Sequence, residues 1–85
     1  MSVKRYIATF HTHLSALRSS RALGRLPEVT ARMAPVPRAL SSSCGTCVRY
    51  EAEGPCLEAM DGDVDSVYLL EGREEYVLLH TNGEA

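Results

Sequence analysis

Two cysteines separated by two residues form the part of this chain with the clearest capacity for chemistry. Cys44 and Cys47 lie in the stretch PRALSSSCGTCVRY, residues 37–50. Two intervening residues allow both sulfur atoms to reach one metal ion, or to reach each other in a disulfide. The pair therefore predicts thiol chemistry or a metal site, with packing of Cys47 as a small apolar residue at the start of a strand as the structural alternative.

The residues around this pair favour the thiolate, which is the reactive form of cysteine. Arg38 and Arg49 flank the two sulfur atoms, and the serines at 41–43 supply backbone N–H groups that can stabilise a negative charge. Gly45, directly after Cys44, keeps the approach open and permits backbone angles that other residues avoid. We expect an exposed turn that presents Cys44, with Cys47 held at the start of a strand.

Two histidines add a possible ligand set for zinc. Together with the cysteine pair, His11 and His13 complete a set of two cysteines and two histidines. The histidines precede the cysteines by some thirty residues and lie only two apart, which is not the spacing of a zinc finger. We expect two solvated histidines and no metal or other cofactor, while a proton-shuttling role near the thiol stays open.

Two further motifs are expected to be structural. Cys56 follows Pro55 at the start of a predicted helix, where an exposed thiol would have a lowered pKa, but we expect burial beside Leu57. The acidic run at 61–65 imitates the start of a calcium loop. Its sixth position is Ser66 and its twelfth is Gly72, so we expect a solvated acidic turn.

Charge is divided unevenly along the chain. Residues 1–50 carry eight cations against Glu28 alone, and residues 51–85 carry ten acids against Arg73. This division predicts either attraction between the two halves inside the fold or one basic and one acidic face. The arginines at 18, 21 and 25 line one helix face without interleaved aromatics, which disfavours nucleic acid as a partner.

Length and composition indicate one globular domain spanning residues 1–85. The chain has 85 residues, of which 45% are hydrophobic and 24% charged, values typical of a folded protein with a small core. Its apolar runs are too short for a membrane helix or a secretory signal, so we expect a cytoplasmic protein. In that reducing compartment, three cysteines argue against a disulfide scaffold.

The hydropathy pattern predicts strands and helices in the order β-α-β-β-α-β. Predicted strands cover residues 3–10, 29–36, 47–52 and 64–70, and predicted helices cover residues 12–26 and 54–62. Thr12 is the predicted cap of the first helix, and the small residues on one face of that helix would let it lie close to a sheet. Residues 75–80 can add a strand as a hairpin, and residues 81–85 are expected to form a frayed tail. The order predicts the α+β ferredoxin-like architecture, a two-layer sandwich with two helices on one face of an antiparallel sheet.

Read as a whole, the stretch PVPRALSSSCGTCVRY, residues 35–50, resembles the signature of a small bacterial family described as Se/S carrier protein-like. The opening TFHTH and the helical LSALRSSRAL extend the resemblance over most of the chain, although these parts are generic. The specific elements of the signature are Pro37, Arg38, Ser42, Ser43, Cys44, Gly45, Arg49 and Tyr50.

The resemblance implies that Cys44 is the carrier thiol, holding sulfur or selenium as a persulfide-type adduct between a donor protein and an acceptor protein. Cys47 could then act as the resolving thiol by forming a Cys44–Cys47 disulfide. The thiolate would be supported by Arg38, Ser42, Ser43, Gly45 and Arg49. This is a carrier more than an enzyme. The alternatives are a non-catalytic binding, regulatory or zinc-holding module, and a dithiol redox switch.

Overall fold

The chain folds into a five-stranded antiparallel sheet with one α-helix packed on one of its faces. A computed structural model describes residues 3–40, 45–60, 62, 64–73 and 75–81. The elements in chain order are β1 (Lys4–Phe10), α1 (His13–Gly24), β2 (Thr30–Pro35), β3 (Thr46–Ala52), a 3-10 turn (Leu57–Ala59), β4 (Val64–Leu70) and β5 (Tyr76–Thr81). Over the ranges described, no helix has the length and apolar character needed to cross a membrane.

In the sheet, β3 lies between β2 and β1. The order in the sheet is β2-β3-β1-β4-β5, and β3 runs antiparallel to both β1 and β2. Consequently β1 and β2 run parallel to each other with β3 inserted between them, and α1 makes the crossover connection. The connection from β2 to β3, residues 36–45, contains Cys44, and Cys47 is the second residue of β3.

The helix α1 begins at the predicted cap and lies close to the sheet. The Thr12 hydroxyl oxygen accepts a hydrogen bond from the Ser15 N–H at 3.1 Å, as an N-cap residue does. The buried positions of the helix are Ser15, Ala16, Ser19 and Leu23. Three of these four side chains are small, so the helix backbone can approach the strands, as the sequence predicts.

Strand alternation divides the central residues between two faces. Tyr6 and Tyr50 point toward α1 and stack with ring centroids 5.2 Å apart, at the centre of the core. The intervening residues of each strand point to the opposite side, which we call the far face. On β1, β2 and β3 the far face consists of Arg5, Ile7, Thr9, Thr30, Arg32, Ala34, Cys47, Arg49 and Glu51.

The α+β class, the antiparallel sheet and the additional C-terminal strand are confirmed, but the prediction of two helices in a ferredoxin-like fold is wrong. The second helix is replaced by the three-residue 3-10 turn, and Cys56 before it adopts a left-handed conformation with φ 55°. The Tyr50 hydroxyl donates a 2.6 Å hydrogen bond to the Pro55 carbonyl and so ties this segment to β3 as a turn. Leu57 is consequently exposed, whereas Met60 packs against the core.

Within the described ranges, a histidine from the basic half of the chain lies beside a carboxylate from the acidic half. His11, beyond β1, lies 4.0 Å from the Asp65 carboxylate on β4. Asp61 and Asp63, in the predicted acidic turn, lie outside the described residues, as do residues 82–85 of the predicted tail.

Candidate functional site

The cysteine loop, residues 36–45 with Cys44, is closed at its base by the β2–β3 hairpin. Pro35 and Thr46 form the last pair in register, and the Val36 N–H then donates to the Gly45 carbonyl at 3.1 Å. Further along, the Leu40 N–H donates to the Pro37 carbonyl at 3.0 Å and forms a turn. The structure therefore defines both ends of a short loop.

The central residues of the predicted site fall inside this loop. Cys44, Ser42 and Ser43 lie outside the described residues. Their predicted roles stay predictions, and the structure bears on them through the residues on either side.

Gly45, next to Cys44, has a conformation that favours glycine. Its φ is 74°, in the left-handed region, and among the described residues no heavy atom outside its chain neighbours lies within 4 Å of the position that a Cβ would occupy. The requirement is thus one of backbone conformation and not of space. The expectation that glycine permits an unusual backbone angle here is confirmed.

Cys47 is enclosed by the sheet on the far face. It pairs in register with Ala34 of β2 and Thr9 of β1, and its side chain has 0% exposure. Its Sγ lies 3.6 Å from the Pro35 carbonyl oxygen and donates to it. A carbonyl can only accept, so the Cys47 thiol is the donor in this contact. The burial agrees with the packing alternative, and the resolving role of Cys47 stays a prediction.

Cys56 is half-buried and packs against the core between the sheet and α1. Its Sγ donates to the Gly54 carbonyl oxygen at 3.3 Å. Burial, followed by the charge of Glu58, raises the pKa of the Cys56 thiol. Cys56 is only half-buried and Leu57 beside it is exposed, so the predicted burial of Cys56 beside Leu57 is observed in part. A 3-10 turn stands in place of the predicted helix start.

The two predicted supporting arginines lie at different places relative to the loop. Arg38 is exposed in the turn that opens the loop, whereas Arg49 is half-buried on β3. Arg49 lies two residues beyond Cys47 and shares the far face with it. The structure also places Arg32 directly opposite Arg49, a neighbour that the sequence analysis missed. The sequence shows that Arg32 and Arg49 each occupy an alternating position on a predicted strand. It does not show the register that places them opposite each other.

The two histidines at the start of α1 are exposed, as expected. In the parts of the chain that the structure describes, no group of three or more histidine, cysteine, aspartate or glutamate side chains is arranged to hold a metal ion. Cys44 is outside that set of residues.

Comparison with protein families identifies one match. The model of the family described as "Putative Se/S carrier protein-like" matches residues 5–60. The matched span runs from β1 to the end of the 3-10 turn and includes the whole cysteine loop, while β4 and β5 lie beyond it. No curated protein and no solved structure matches the chain.

The left-handed conformation of Gly45 leads to a first prediction. Gly45→Ala should lower the free energy of unfolding by about 1 kcal/mol, because a Cβ is unfavourable at positive φ. Gly24→Ala is the matched control: it lies at the end of α1, also with no atom within 4 Å of a Cβ, and alanine favours helix. Urea unfolding measures both. Equal unfolding free energies for Gly45→Ala and the parent protein would contradict the conformational role of Gly45.

A second prediction follows from the Cys56 thiol and the Tyr50 hydroxyl, which both have a raised pKa. Burial raises the pKa of the Tyr50 hydroxyl, with Cys56 and Tyr6 as smaller causes, just as burial raises that of Cys56. The folded protein therefore keeps these protons at pH values where the unfolded chain loses them. Their contribution to stability is complete below the ordinary cysteine pKa of 9.0 and is lost as the pH rises above it.

We therefore expect the free energy of unfolding to fall as the pH rises from about 9 through about 10. Cys56→Ser removes one of the titrating groups and should make the decrease less steep. Denaturant unfolding at a series of pH values measures both slopes. Identical slopes for the variant and the parent protein would show that Cys56 does not contribute.

Proposed function

The chain belongs to the Se/S carrier protein-like family, and we propose that it carries sulfur or selenium as a persulfide-type adduct on Cys44. Family membership supports the carrier function in general terms. The choice of Cys44 is supported by the burial and the hydrogen bonds of the two other cysteines, Cys47 and Cys56. A carrier thiol has to be reached by a donor and an acceptor, and it has to ionise.

Neither of the described cysteines meets these requirements in the folded state. Cys47 has no exposed surface, and its proton is directed at the Pro35 carbonyl. Cys56 donates to the Gly54 carbonyl, and its pKa is raised, so little thiolate forms near neutral pH. Of the three cysteines in the chain, Cys44 remains as the proposed carrier.

The frame of the loop supports this assignment. The Val36–Gly45 hydrogen bond closes the loop next to Cys44, and the left-handed Gly45 turns the chain into β3. We assign the stabilisation of a negative sulfur to the Arg38 and Arg49 guanidinium groups and to backbone N–H groups at Ser42, Ser43 and Gly45. A cation and N–H donors near a sulfur both favour its thiolate.

The proposed transfer is two thiol exchanges without net oxidation. The Cys44 thiolate attacks the outer sulfur of a persulfide on a donor protein. That sulfur bonds to Cys44, and the donor cysteine leaves as a thiolate. A nucleophile on the acceptor protein then takes the outer sulfur, and the Cys44 thiolate returns. These exchanges need free thiols, in keeping with the reducing cytoplasm predicted from the sequence.

A second proposed route uses Cys47 to release the carried atom. The Cys47 thiolate attacks the inner sulfur of the Cys44 adduct, which forms a Cys44–Cys47 disulfide and expels hydrosulfide. A thiol reductant then restores both cysteines. Because Cys47 is buried and bonded to Pro35, this route requires the base of the loop to open and the Cys47 proton to pass to solvent.

The proposal is tested by the mass of the intact protein after sulfur loading. Reduced protein is incubated with a cysteine desulfurase and cysteine as the sulfur source. We expect the parent protein to gain the mass of one sulfur atom. Cys44→Ser should gain none, while Cys56→Ser, the matched control, should load like the parent protein.

The same experiment addresses Cys47. Cys47→Ser should accept sulfur and retain it longer than the parent protein does, because the route through the disulfide is closed. Unchanged retention and unchanged hydrosulfide release would remove the resolving role and leave the carrier role intact. An adduct that persists in Cys44→Ser would contradict the assignment of the carrier thiol.

A further inference from the structure

Three arginines on the far face line a shallow depression, toward the Thr30–Glu51 end of the β2–β3 hairpin. Its volume is about 170 Å³. The side chains that matter here are Arg5, Thr30, Arg32, Arg49, Glu51 and Leu70, contributed by β1, β2, β3 and β4. The strand register brings these residues together from four separate parts of the sequence.

The charges in this depression are unbalanced. Arg32 and Arg49 lie directly opposite each other on neighbouring strands, an arrangement that destabilises a sheet when both side chains carry the same charge. Arg5 lies opposite Glu51, which is two residues after Arg49 on β3. Glu51 is the only carboxylate among the described lining residues. Within the described ranges, none of the three arginines forms an ion pair with a carboxylate. The Arg5 guanidinium donates to the Gly72 carbonyl at 3.5 Å.

We propose that this depression binds the phosphate group of a small phosphomonoester. A guanidinium group presents paired N–H donors that match two oxygens of a phosphate. Three arginines against one carboxylate leave two positive charges, which a phosphate dianion neutralises and a single carboxylate does not. The anion would also relieve the repulsion between Arg32 and Arg49.

The size and shape of the depression favour a small molecule over a nucleic acid. Its volume equals that of about six molecules of liquid water, enough for one phosphate and a part of the group that it is bound to. The three arginines line one depression, whereas binding along a nucleic acid backbone uses a line of cations with aromatic stacking platforms. Leu70 supplies an apolar wall on the β4 side.

This binding site is proposed independently of sulfur transfer. Arg49 borders both sites, because it lies two residues from Cys47 on the same face. Arg5 and Arg32, by contrast, take no part in the proposed thiol chemistry, so substitutions there separate the two proposals. Arg32→Gln should still load sulfur on Cys44 in the mass experiment described above.

The test is an NMR titration of the 15N-labelled full chain with inorganic phosphate at constant ionic strength and mildly alkaline pH. We expect saturable shifts of the Nε–H signals of Arg5, Arg32 and Arg49, and weaker binding of acetate. Arg32→Gln should weaken phosphate binding by about fivefold to tenfold, the loss expected for a charge-assisted contact at a partly exposed site. The matched control Arg21→Gln, on the exposed face of α1, should bind phosphate like the parent protein.

Two further variants keep the test decisive if Arg32→Gln does not fold. Arg5→Gln should weaken phosphate binding, and Glu51→Gln should tighten it by removing the negative charge in the depression. Shifts that do not saturate, or an equal loss in Arg21→Gln, would overturn the proposal. Binding of single-stranded RNA without saturable phosphate binding would also overturn it, and would replace the small ligand by a nucleic acid.

Discussion

The antiparallel pairing of β3 with both β1 and β2 is the constraint on which the other features depend. Because side chains alternate along a strand, this pairing directs Tyr50 toward the helix and Cys47 and Arg49 toward the far face. It fixes the two ends of the cysteine loop through the Val36–Gly45 hydrogen bond. A register shift by one residue would exchange the faces, expose the tyrosine stack and separate the three arginines.

The fold restrains two of the three cysteines by the same physical means. A backbone carbonyl accepts the proton of Cys47, and another accepts that of Cys56. Cys47 is in addition fully buried, and burial raises the pKa of Cys56. The proposed carrier, Cys44, directly precedes the left-handed Gly45 in the sequence. The three cysteines of one small domain thus differ in their proposed chemistry because their surroundings differ.

The sequence predicts the elements well where local signals and burial agree. The Thr12 cap, the small residues of α1 and the alternation of β1 and β3 each led to the observed element. The second helix was wrong because Pro55 is also compatible with a turn, and the Tyr50 hydroxyl bond to its carbonyl is a tertiary contact that no local pattern reveals. The arginine depression was missed because its lining residues come from four strands, and only the register shows that Arg32 faces Arg49.

The central claim is that the folded protein leaves Cys44 available for thiol chemistry while it restrains Cys47 and Cys56. Brief alkylation of the native protein over a range of pH, read out for each cysteine by peptide mass spectrometry, tests it most directly. The account predicts that Cys44 is modified first near neutral pH, that Cys56 follows as the pH rises, and that Cys47 reacts last, when the base of the loop opens or the protein unfolds. Modification of Cys47 or Cys56 ahead of Cys44 in the native protein would contradict it.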